Sequence, residues 1–406
     1  MPAFPVFVAM MALLMGLTAM SIDVMLPALP QIQQAFALGD GNQQQQTISS
    51  YMFGFAFGQI LYGPLSDSFG RKRVLLTGIA LFCVATVAAP FLGAFGWFLF
   101  ARFLQGFGCA AARIVSTAII RDIYGGREMA KVMSFVMMIF IMIPAIAPLV
   151  GTAVLAVGSW RLIFGLLFVA GVSAYVWMVV SLPETLPEER RKPLAWGTLG
   201  KAIAKAATNR VTLGYTVAGG VIFGALMGYV NSAQQVFQDF YATGSLFPFW
   251  FGSIACAMML ASIFNSRLVE RIGMRRMSHF AILGFVTVAL VHVGLFWTVG
   301  APPVAGFAVL IGLNFFFFGV LMPNLNALAM EPMADIAGTA SSFIGSVTTM
   351  MAAAFGGYIG HLFDGTSGPL LMGFAACGLG CLLLVMITEK GRLFGVSEDE
   401  PVELPH

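Results

Sequence analysis

Tyr62-Gly63-Pro64-Leu65-Ser66-Asp67-Ser68-Phe69-Gly70-Arg71-Lys72-Arg73-Val74 lies between two long apolar runs. It holds a Gly-Pro step, one carboxylate (Asp67), a second glycine (Gly70) and three consecutive cations. Such a stretch reads as a tight loop at a membrane surface. Glycine accepts backbone conformations that other residues resist. Cations hold a loop on the cytoplasmic side. The acid can pair with those cations or lie against a helix N-terminus. An ordinary positively charged connector would carry the same cations, but a degraded second copy follows in the far half of the chain. In Arg267-Leu268-Val269-Glu270-Arg271-Ile272-Gly273-Met274-Arg275-Arg276, Leu268 falls on Leu65, Glu270 on Asp67 and Gly273 on Gly70. Arg275 and Arg276 fall on Lys72 and Arg73. A pattern that returns at the same spacing points to a chain built from two related halves.

Working outward, the 406 residues are 59% hydrophobic and 10% charged, with a mean hydropathy of +0.89. Soluble domains carry about 25% charged residues, so a soluble globular protein is excluded. The net charge of +3 says little. Runs of about 20 apolar residues are long enough to cross a bilayer. They centre on 5–30, 46–66, 73–93, 97–120, 131–157, 162–182, 210–237, 246–266, 277–298, 303–328, 338–362 and 368–388. The fold class expected is therefore an all-α membrane protein of about twelve transmembrane helices in two six-helix bundles. The bundles are 1–182 and 210–390, joined by a cytoplasmic linker over 183–209, with a tail over 391–406. The cysteines Cys83, Cys109, Cys256, Cys377 and Cys381 all lie in apolar runs and read as buried small hydrophobes. No Lys or Arg precedes the first run, which argues for a retained first span over a cleaved signal peptide.

Orientation follows from the cations. With the N-terminus cytoplasmic, 18 of the 21 Lys and Arg face inward. Arg161 alone falls in an outer loop, and Arg102 and Arg113 lie within spans. Both termini are then cytoplasmic in a multi-pass inner-membrane protein.

A charge inside a span costs about 2.5–3.5 kcal/mol on insertion scales and is a functional candidate by default. Asp23 is the one acid of 18 that falls well within a span. Pro27 and Pro30 loosen the helix just beyond it. Span 4 runs the other way, so Arg102 should lie at a similar depth and could neutralise Asp23 across a cavity. The alternatives are a proton-coupling pair and a static structural ion pair. Arg102 and Gln105 share a helix face. Arg113 either faces the cavity or reaches to the inner surface. Gly106, Gly108 and the alanines after them form a small-residue face for close helix packing. In span 5, Pro144 and Pro148, followed by Gly151, should bend the helix, either passively or to shape a gate. Tyr51, Gln59, Asn231, Gln234, Gln235 and Asn314 are polar groups that need partners; each lines a substrate path or bonds another helix. The run Phe315 to Phe318 must point in several directions. His292 reads as a satisfied packing residue. No Gly-x-x-x-x-Gly-Lys-Ser/Thr occurs, which speaks against ATP-driven pumping. Neither cofactor, metal nor nucleic-acid partner is expected.

The loop from Gly63 to Arg73 resembles the signature between helices 2 and 3 of the major facilitator superfamily. Arg102-Phe103-Leu104-Gln105-Gly106 looks like the helix 4 motif of its proton-coupled members. Ser21 to Pro30, Arg121-Asp122 with Tyr124, and Pro144 to Gly151 followed by Trp160 to Phe164 resemble the bicyclomycin-resistance (Bcr/CflA-type) branch of drug:proton antiporters. The likeness spans the chain and is most specific in its first half. It implies alternating access and the exchange of inward protons for outward drug. By that likeness Asp23 is the proton site and Arg102 its partner. Gly63, Asp67, Gly70, Arg71, Arg73 and Asp122 form the cytoplasmic gating loop and its charge relay. The antiporter motif of helix 5 usually has Gly before its second proline and Gly-Gly after it; Ala147 and Gly151-Thr152 stand there. The second-half loop lacks the Gly-Pro. The expected function is export of small amphipathic drug-like compounds by a monomer exchanging protons across the lipid bilayer. The alternatives are a dedicated exporter of one metabolite and a membrane receptor or sensor without transport. A membrane enzyme would need clustered His, Asp, Glu or Cys in the spans.

Overall fold

The computed structural model describes residues 3–394, with Asp40, Lys192 and Ala195 excepted. Most of the expected acidic tail therefore lies outside the described residues, as do Lys192 and the side chain of Arg127 among the cations. Among the described residues, twelve long helices, of 18 to 32 residues, form the body. The first half holds α1 (Phe4–Asp23) with a short α2 (Leu29–Ala35), α3 (Gln46–Phe69), α4 (Arg71–Ala88), α5 (Phe95–Ile123), α6 (Gly126–Val157) and α7 (Arg161–Ser181). An amphipathic α8 (Trp196–Thr208) follows. The second half holds α9 (Arg210–Gln235), α10 (Phe247–Ile272), α11 (Met274–Thr298), α12 (Val304–Met330), α13 (Ala337–His361) and α14 (Gly368–Thr388).

Among the described residues, nine segments are long and apolar enough to cross a membrane, and one of them, Val304–His361, contains both α12 and α13. The helix α3 is not among them, because Gln46, Thr47, Ser49, Ser50 and Gln59 lie along it. Two of them bond protein groups: Ser50 donates to the Leu99 carbonyl at 2.7 Å and Gln59 to Thr349 Oγ1 at 2.9 Å.

The packing repeats between the halves. α3 packs on α5, α4 on α5 and α7, and α1 on α6. In the second half α10 packs on α12, α11 on α12 and α14, and α9 on α13. The two bundles meet through α3 against α13 and α6 against α10. Lipid tails are as apolar as the helices, so association depends on close contact and interhelical hydrogen bonds. Gly106 shows this: a Cβ there would sit 1.9 Å from the Tyr51 carbonyl oxygen on α3.

Three expectations need correction. The Tyr62 to Val74 stretch, expected as a tight loop, is helical except at the turn itself. α3 continues through Gly63 and Pro64 to Phe69, and the chain reverses at the single residue Gly70, with φ +97°. Gly63 lets the second half close in, since a Cβ there would lie 3.0 Å from Ser342 Oγ. Cys256 is exposed on the outside of α10 and is not a buried core residue. His292 is buried on α11 against Phe307, and neither ring nitrogen has a hydrogen-bond partner among the described residues.

Candidate functional site

The site begins where α1 breaks. Pro27 has no N–H to give to the carbonyl of Asp23 four residues back. Accordingly α1 ends at Asp23, a 3-10 turn occupies Leu26–Ala28, and α2 resumes at Leu29. α6 presses against this broken segment. A Cβ at Gly151 would fall 2.3 Å from the Val24 carbonyl oxygen, so a side chain there would force the two helices apart. α6 itself runs as one helix through Pro144 and Pro148.

Asp23 is 5% exposed and lines a cavity of about 370 Å³ between the bundles. The first-half wall supplies Thr18, Gln59 and Arg113, and the second half adds the polar Asn326, Thr348 and Thr349. The second-half wall is aromatic and sulfur-rich, with Phe223, Tyr229, Phe251, Phe315, Met258 and Met322. Phe315 and Phe318 share a face and line the cavity, while Phe316 packs on Phe264 and Phe317 lies against Gly284. Gln59 bridges to the second half, donating to Thr349 Oγ1 at 2.9 Å.

Arg102 is fully buried beside this cavity and does not line it. Its Nη2 donates to the Ser21 carbonyl at 3.0 Å and its Nε to the Thr47 carbonyl at 3.2 Å. Nη1 donates to Gln105 Oε1, whose amide donates to Thr86 Oγ1 at 2.8 Å. The guanidinium also lies 4.7 Å from the Tyr51 ring centroid. Arg102 thus reaches the backbone two residues from Asp23, but no ion pair between them occurs among the described residues. Four neutral groups hold the cation in place of the carboxylate.

Of the other polar residues expected on a substrate path, only Gln59 and Arg113 line the cavity. Tyr51 and Gln105 belong to the Arg102 cluster. Asn231 and Asn314 donate back to their own helices, at the Met227 and Leu310 carbonyls. Gln234 donates to Gln238. The aromatic and methionine wall escaped sequence reasoning because such residues look the same whether they face lipid or a cavity. Phe315 and Phe318, three apart, were the available signal.

Gln235 belongs to a seal at one end of the cavity. Asn42 donates to the carbonyls of His361 (3.0 Å) and Phe363 (2.8 Å) and accepts from Gln235 Nε2 (2.6 Å). Gln45 in turn donates to Gln235 Oε1 at 2.9 Å. These buried amides join the two bundles on the face away from Gly70. Toward the Gly70 face α5 is exposed at Arg113, which lines the cavity, and at Thr117 and Arg121, one and two turns further on.

Around Gly70, Asp67, Arg71 and Asp122 come together. Arg71 is 4% exposed; its Nε reaches Asp122 at 2.8 Å, and its Nη1 bonds Asp67 and Ser66 Oγ. Arg73 is exposed and outside the cluster. A further residue completes it. Glu184, just past α7, accepts from the backbone N–H groups of Arg71 (2.9 Å) and Lys72 (3.2 Å), capping α4 across 113 residues. A carboxylate at a helix N-terminus is favourable. In the second half Arg275 lies 3.5 Å from Glu331 and 3.8 Å from Glu389, which also accepts from the Tyr215 hydroxyl. Glu331 ends α12 as Asp122 ends α5, and Glu389 follows α14 as Glu184 follows α7.

The family model described as the Major Facilitator Superfamily matches residues 11–357. A bicyclomycin resistance protein homolog of Haemophilus influenzae is 30% identical over 380 residues, 92% of this chain and 93% of that protein. A chloramphenicol resistance protein of Pseudomonas aeruginosa is 30% identical over 265 residues, 63% of this chain and 60% of the other. Among solved structures, a partially occluded inward-open form of the xylose transporter XylE from E. coli superposes with a TM-score of 0.70 at 12% identity, covering 95% of this chain and 97% of that one. The chain belongs to the Major Facilitator Superfamily, a family of membrane transporters, and is similar to the Bcr/CflA-type drug exporters within it.

Proposed function

We propose that this multi-pass membrane protein is a monomeric exporter of small amphipathic, drug-like compounds that exchanges them for protons by alternating access. The observation that carries the reading is Asp23: among the described residues the single carboxylate on the cavity wall, set where α1 breaks and away from any ion pair. The excess of Lys and Arg on the Gly70 face supports a cytoplasmic placement of that face and of both termini, in the inner membrane. The conformation seen then takes up substrate from the cytoplasm. A compound enters past Arg113, rests its apolar body against the second-half wall, and drives the proton from Asp23. Release outward requires the Asn42–Gln235 seal to part and the cavity to close on the Gly70 side. A proton arriving from outside then neutralises Asp23 and the cavity returns. An ionised carboxylate in a dry cavity is costly unless it is compensated, which links proton loss to occupancy.

Everted membrane vesicles with an acidified lumen test this. Adding a transported compound should alkalinise the lumen in the wild type and have no effect in Asp23→Asn. Persistent proton movement in Asp23→Asn removes Asp23 from the carrier role. No movement with any compound, despite correct insertion, removes proton exchange.

A further inference from the structure

The cavity has two charged lining residues, and they stand at opposite ends. Arg102 Nη2 reaches the Ser21 carbonyl, which sets that turn of α5 level with the end of α1 where Asp23 sits. Arg113 follows 11 residues later on the same helix, roughly 16 Å further toward the Gly70 face at about 1.5 Å per residue. Asp23 occupies the closed end at 5% exposure. Arg113 is exposed although it lies in the interior of α5, and Asn326 across the cavity on α12 is exposed with it. The Arg113 guanidinium lies 6.0 Å from the Phe55 ring centroid, which also lines the cavity. Among the described residues, the opposing second-half wall carries no charge.

We propose that Arg113 is a charge filter at the cavity mouth and fixes the substrate class. The class is neutral or monoanionic aromatic amphipaths that offer a planar acceptor, such as a nitro, carbonyl or carboxylate group. Lipophilic monovalent cations are disfavoured, because a cation bound for Asp23 must first pass a fixed positive charge in a low-dielectric cavity. The guanidinium fork matches a planar acceptor, and the aromatic wall takes the ring system. This inference rests on the exporter reading.

Tetraphenylborate and tetraphenylphosphonium have nearly the same size and shape and opposite charge, so their comparison isolates the filter. Binding to the purified full chain in micelles is measured for both ions and for neutral chloramphenicol, in the wild type, Arg113→Gln and Arg113→Lys. The borate-to-phosphonium affinity ratio should fall about tenfold in Arg113→Gln, as expected on removing one nearby charge, and stay within threefold in Arg113→Lys. An unchanged ratio in Arg113→Gln overturns the filter, as does an equal loss in Arg113→Lys. The wild type alone supplies a second measurement, needing no variant to fold: the borate should displace chloramphenicol at lower concentration than the phosphonium. The reverse order overturns the filter alone. No saturable binding of any of the three probes overturns the exporter reading and the filter with it.

Discussion

At Gly70 the turn between α3 and α4 has φ +97°, and at Gly273 the turn between α10 and α11 has φ +87°. Both reverse a long helix in one residue, and both use the left-handed region that glycine enters without cost. The side chains around them differ. Arg71, the residue directly after Gly70, is buried against Asp67 and Asp122, and Glu184 caps the helix it begins. Met274 holds the matching position in the second half, and the cation comes one residue later, at Arg275. Each residue turns the side chain by about 100° around a helix. Arg275 therefore leaves by another direction, is 25% exposed, and reaches its acids only at 3.5 and 3.8 Å. The two halves share the backbone turn, which geometry constrains tightly, while the ionic cluster sits one position later in the second half and is looser.

That contrast is open to attack at three points, beginning with the cations themselves. Replacing Arg71 with Ala leaves a buried cluster without its centre and should lower stability by about 3 kcal/mol. Arg275→Ala, at a half-exposed pair, should cost less than about 1 kcal/mol. Thermal melting in micelles checks both, and equal losses would make the two clusters equivalent. The glycines come next. Ala at either site meets the strain of a positive-φ backbone that glycine alone adopts readily, about 1–3 kcal/mol. At Gly70 its Cβ would also lie 2.6 Å from Glu184 Oε2, whereas at Gly273 nothing lies within 4 Å. Gly70→Ala should therefore melt lower than Gly273→Ala by the value of the displaced cap, about 1 kcal/mol. The smallest effect is ionic. Raising salt should weaken the Arg275 contacts by a few tenths of a kcal/mol and leave the buried Arg71 cluster nearly unaffected. In a melting series, Arg275→Ala should therefore converge on the wild type at high salt while Arg71→Ala stays apart from it.

Much of the fold was legible because membrane spans announce themselves by composition and length. The site was legible only in part. Asp23 and its helix break could be read, because a lone carboxylate and two prolines in an apolar run have few explanations. Arg102 was legible as important but not in its bonding, since neutral carbonyls 55 and 81 residues away hold it. Glu184 looked like one linker charge among several until the fold carried it to the start of α4. Gln235 looked like a cavity residue until Asn42, 193 positions away, was brought beside it.

By itself the sequence determined the membrane class, the doubled architecture, the positions of the spans and the acid buried among them. Each depends on local properties: apolar length, the absence of a proline N–H, or the conformational freedom of a glycine. Only the tertiary structure decided which polar groups face the cavity, which end of it is sealed, and which carboxylate each arginine holds. Those outcomes depend on which helix faces come together, and an apolar residue has the same chemistry whether it meets lipid, a neighbouring helix or an open cavity.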